Sequence, residues 1–257
     1  MPLLANAPLV EVIFELRWGK IIRKGDEFQL SIPPEEELLP GQFKSIANTE
    51  GFGFYERINA GIPPLPHLVL HRYRPSADSW PCFQLGSGIL TVNEVKKGYS
   101  WKSFRESVAK GLKFIDRAYP AGLEGLPGFG VELKYQDGFL LEAGETAEEF
   151  LRKKIRLGFN PPEKFFENAN IIQGMKNNRI SFSLSLSGPK GLLSISINQG
   201  LINEKPGLIM ETTVRSASED KPAFTKESLH TWLDRAHDIQ KHTFRTLIDP
   251  KLHETFE

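Results

Sequence analysis

The run from Arg179 to Arg215, RISFSLSLSGPKGLLSISINQGLINEKPGLIMETTVR, restricts the fold of this chain more than any other stretch. Ile180, Phe182, Leu184 and Leu186 alternate with Ser181, Ser183, Ser185 and Ser187. A strict period of two places the apolar side chains on one face of a strand and the hydroxyls on the other. Two Gly/Pro turns divide the run into three strands. The second adds Ser194, Ser196 and Asn198 to the polar face, and the third adds Glu211, Thr213 and Arg215. The expectation is an antiparallel meander with one face packed and one polar.

The remainder of the chain supplies partners for that packed face. Asn6 to Trp18 reads as a long strand with Val10, Val12, Phe14, Leu16 and Trp18 on one side. Gly19 to Ile32 reads as a hairpin or loop, and Pro33 to Glu37 as a helix start that Pro40 and Gly41 shorten or break. Strands follow at His67 to Arg74, Cys82 to Leu85 and Gly88 to Val95. Ser100 then caps a helix carrying Trp101, Phe104, Val108, Leu112, Ile115 and Tyr119, stopped by Pro120. After Gly122 to Gly130 the order restarts. Val131 to Tyr135 and Phe139 to Glu142 read as strands, and Thr146 with Glu149 forms a capping box for a helix ending at Gly158. A loop with Pro161, Pro162, Phe165 and Phe166 leads into the meander. Thr225 caps a last helix with Leu229, Trp232, Leu233, Ala236, Phe244 and Leu247 along one side. The expected fold class is α+β, antiparallel sheet backed by helices around Phe104 and Trp232. By element order the chain divides into an N-terminal α+β unit (1–121), a linker (122–130) and a C-terminal α+β unit (131–257). These would be two fused strand, helix, three strands, helix units or one compact domain.

Cys82 is the only cysteine among 257 residues, so no intrachain disulfide can form, which fits a reducing cytoplasm. Glu11, Glu15 and Arg17 interrupt the N-terminal apolar residues, so this stretch is not read as a signal peptide. No apolar run approaches the roughly 20 residues needed to span a bilayer. A soluble, cytoplasmic protein without membrane contact is expected. The 32 basic and 32 acidic side chains cancel, which disfavours, without forbidding, non-specific attachment to a phosphate backbone.

Chemistry-bearing residues show no constellation with a mechanism. His67 and His71 fall on one side of a predicted strand but lack a third ligand at diagnostic spacing. His230, Asp234 and His237 share one side of the last helix, where His237-Asp238 forms an HD dipeptide without the further ligands of HD phosphohydrolases; a solvated flank is expected. Cys82 sits between Pro81 and Phe83, an apolar setting that raises a thiol pKa. The serine row has no nucleophile elbow, and the short Gly motifs lack the rest of a phosphate loop. No catalytic residue, metal ligand or cofactor is therefore assigned. Arg152, Lys153, Lys154 and Arg156 crowd one helix, and Lys20, Arg23 and Lys24 one loop. The first cluster is the candidate nucleic-acid contact.

Three stretches carry a resemblance: NAPLVEVIFELRW at Asn6 to Trp18; FQLGSGILTVN at Phe83 to Asn93 followed by Tyr99, Trp101 and Phe104; and the C-terminal helix with His237, Asp238 and Phe244. Together they resemble a family of sporadically distributed bacterial proteins of unknown function. The resemblance implies an accessory role, of the kind carried on mobile or defence islands, and brings no catalytic residue with it. Three functional readings follow in order. The first is a non-enzymatic adaptor that binds another protein or itself, with Ser183, Ser185, Ser196, Thr213 and Arg215 as the contact surface. The second is a nucleic-acid-binding protein with a saddle-like sheet. The third is an enzyme on a small molecule with a cleft between the halves.

Overall fold

The computed structural model describes residues 6–25, 27–31, 33–62, 65–95, 97, 99–158, 162, 164, 167, 179–217 and 225–256. Its organising element is an antiparallel sheet. Strands β1 (Leu9–Trp18), β4 (Phe54–Arg57), β5 (Val69–Arg74), β6 (Cys82–Gly86), β7 (Ile89–Val95), β8 (Phe129–Leu140), β9 (Arg179–Ser187), β10 (Lys190–Ile202) and β11 (Lys205–Ser216) form it. Their order is β4-β5-β6-β7-β1-β8-β11-β10-β9, nine strands in all. A separate hairpin joins β2 (Lys20–Lys24) to β3 (Glu27–Ser31). The central pair is β1 with β8, so backbone hydrogen bonding runs unbroken from the first half of the chain into the second. The glycine-rich junction between them is packed: Leu123–Gly125 forms a 3-10 turn, and Leu123, Leu126 and Phe129 are buried.

Helices cover one face of the sheet, and the fold is α+β. They are α1 (Leu39–Thr49), α2 (Trp101–Ala118), α3 (Ala147–Phe150), α4 (Lys226–Leu247) and α5 (Pro250–Glu254). Under them lie Phe14, Leu16, Val92, Leu133, Ile195, Ile197 and Val214, all buried, alternate residues of five strands that form a single apolar layer whose burial drives the packing. The Ser100 hydroxyl accepts from the Ser103 amide and starts α2. Gly111 then lets α2 sit close to the sheet, because a Cβ there would lie 2.8 Å from Val92 Cγ2. Thr225 caps α4 in the same way. Buried Gln240 on α4 donates to the carbonyls of Leu133 (3.0 Å) and Thr212 (2.8 Å), pinning that helix across the β8–β11 seam. Among the described residues no helix is long and apolar enough to cross a membrane.

Several local expectations change. A register shift between Leu9 and Glu11 turns Val10 outward, and Leu9 takes its place in the core. The expected short helix is a 3-10 turn, Pro34–Leu38, and Pro40 then lies in the first turn of α1, which needs no amide donor there. β8 is one strand through Gln136, Asp137 and Gly138, where two were expected; pairing on both sides outweighs the weak strand propensity of those residues. β4 carries no alternating pattern and was not anticipated. His67, with φ at +59°, precedes β5 and does not share its strand with His71. The loop expected through Pro161, Phe165 and Phe166 lies outside the described residues, apart from Pro162.

Candidate functional site

The face of the sheet opposite the helices is polar, and its residues line up in rows. Glu56, Arg72, Gln84, Thr91, Glu15, Glu132, Arg215, Leu192 and Ser185 stand side by side across the sheet. The adjacent row runs Cys82, Asn93, Ile13, Lys134, Thr213, Ser194 and Ser183. Charges at the centre satisfy one another. Glu132, only 3% exposed, takes Arg215 at 2.6 Å and Arg17 at 3.6 Å. Lys134 lies between Glu15 (3.7 Å) and Glu211 (4.0 Å). This self-neutralised lattice leaves little net field to attract a polyanion.

The five residues proposed from sequence as a contact surface all lie on this face, in different settings. Ser183 and Ser185 are exposed on β9, and the Ser183 hydroxyl pairs with that of Ser194 at 2.8 Å. Ser196 is partly covered and accepts from Asn198. Thr213 is buried, and Arg215 pairs with Glu132 while its side chain stays 55% exposed. Surface available to a partner is therefore concentrated at the β9 and β10 end. Leu192 (42% exposed) also lies there, while Leu184 (52% exposed) lies on the other face of β9, beside Leu193.

The basic cluster is largely neutralised. It occupies a π-turn, Leu151–Ile155, that continues α3. Lys153 pairs with Glu149 at 3.2 Å, Lys154 with Glu142 (2.7 Å) and Glu145 (2.9 Å), and Arg156 with Asp249 at 3.4 Å, while Arg152 is exposed. Lys20, Arg23 and Lys24 belong to β2. Cys82 is buried, and burial pushes its thiol pKa up, as its apolar setting suggested.

Histidines separate into different environments. His67 Nε2 donates to the Trp18 carbonyl at 3.0 Å, and His71 pairs with the Tyr55 hydroxyl at 3.0 Å. The flank of His230, Asp234 and His237, expected to be solvated, is partly exposed, and its contacts run to α2. Arg105 on α2 grips Asp234 through two bonds of 2.9 and 3.1 Å, and His237 stacks on Trp101. Contacts with α2 cover that side of α4 in part, leaving the Asp234 side chain 43% exposed.

Beside this stack lies a constellation that the sequence reading did not assemble. Tyr99 and Tyr135 share a hydrogen bond of 2.6 Å between hydroxyls, and Tyr135 continues to His237 Nδ1 at 2.9 Å. Tyr99, Trp101, Tyr135 and His237 are all partly exposed and form a packed aromatic cluster. Behind it are two buried carboxyls, Glu94 (4% exposed) and Asp137 (6% exposed). Glu94, Val12 and Tyr135 stand in one row; Asp137 lies two residues beyond Tyr135 on the same side of β8, between buried Leu9 and Met210. Burial pushes both carboxyls up to about 7 and holds His237 down at about 4. Burial also raises both phenols, and the nearby Asp137 charge adds to this. The cluster joins the halves of the chain, with Glu94, Tyr99 and Trp101 from one and Tyr135, Asp137 and His237 from the other. One signal was present in the sequence: Glu94 and Asp137 are acidic residues in the apolar phase of their strands, in step with Val92 and Leu133.

Among the described residues no group of three or more His, Cys, Asp and Glu side chains could hold a metal ion. Compared with protein-family models, with curated proteins and with solved structures, the chain matches none.

Proposed function

We propose that the protein is a non-enzymatic assembly module of an accessory bacterial system, and that it self-associates by pairing β9 with β9 of a second copy. One observation carries this reading: the contrast between the two edges of the sheet. β4 is four residues long and holds Glu56 and Arg57, features that discourage strand addition. β9 is nine residues long, pairs among the described residues with β10 only, and has no charge, proline or bulge from Ile180 to Ser187. An edge so unprotected invites another strand.

The sequence of β9 is also self-complementary. Antiparallel pairing about a two-fold axis at Ser183 sets Ser181 opposite Ser185, Phe182 opposite Leu184 and Ile180 opposite Leu186. Hydroxyl then meets hydroxyl, apolar meets apolar, and the exposed Leu184 gains cover. The nucleic-acid reading is weaker, because the basic cluster is ion-paired and the sheet face neutralises itself. Cysteine cross-linking tests the pairing. Oxidised Ser183→Cys or a neighbouring β9 variant yields a covalent dimer, whereas Ser194→Cys on β10 does not. Cross-linking by none of Ser181→Cys, Ser183→Cys and Ser185→Cys would count against the proposal.

A further inference from the structure

We draw no further inference here: the strongest candidate, the apolar surface patch at the end of β8 where exposed Val10 and Leu140 gather with the Ile202 side chain around Gly138, carries none because nothing in the structure shows what covers it.

Discussion

His237 lies flat on Trp101, with ring centroids 3.8 Å apart and planes 6° from parallel, while its Nδ1 meets the Tyr135 hydroxyl at 2.9 Å. One imidazole thus ties α4 to the start of α2 and to the centre of the sheet. Burial dominates its titration and keeps it neutral down to about pH 4. In the unfolded chain a histidine takes up its proton near 6.5. The neutral contact therefore contributes fully above that value, and stability is lost by about 1.4 kcal/mol per pH unit as pH falls from 6.5 towards 4. An NMR titration should find this imidazole unprotonated at pH 5, and His237→Gln should flatten that part of the stability curve.

Asp137 carries the opposite sign. Its folded pKa of about 7 lies above the usual aspartate value, so the folded protein keeps a proton that the unfolded chain releases. Stability from this group falls as pH rises from about 4 to about 7, by about 1.4 kcal/mol per unit, and stays low above that window. Asp137→Asn removes the titration. Urea unfolding at pH 8 should show the variant more stable than the parent, with the gain shrinking towards pH 4.

The two titrations also mark the limit of what the sequence disclosed. Period-two patterning announced β9, β10 and β11 and their faces, because alternation is a local property and each residue declares its side. Glu94 and Asp137 were not singled out, although both stand in the apolar phase of β7 and β8, and alternation alone could not say that they lie near one another. That required β1 to pair with both strands, placing Val12 between Glu94 and Tyr135. It also required α4 to cross the sheet where His237 meets Trp101. Both are contacts between residues far apart in sequence. β4 stayed hidden because a short, charged edge strand has no pattern to read.

Gln240 offers a test of how α4 is seated. Its amide supplies donors to two strand carbonyls in the interior. Leucine is close to glutamine in size but cannot donate, so Gln240→Leu should cost about 1–3 kcal/mol. Urea unfolding at constant pH would read this as a lowered midpoint with an unchanged slope.

The nucleic-acid reading makes a separate prediction. With three members of the basic cluster ion-paired, mobility-shift experiments at low salt should show no retardation of duplex or single-stranded DNA. The double variant Arg152→Gln/Lys154→Gln should behave as the parent does.

Pairing through β9 is the central claim, and light scattering coupled to size exclusion tests it most directly. The parent should elute at twice the chain mass at micromolar concentration. Leu184→Lys, which sets a charge on the unprotected edge while leaving circular dichroism unchanged, should elute as a monomer. A monomeric parent across the concentration range, or a dimer that Leu184→Lys does not disturb, would contradict the account.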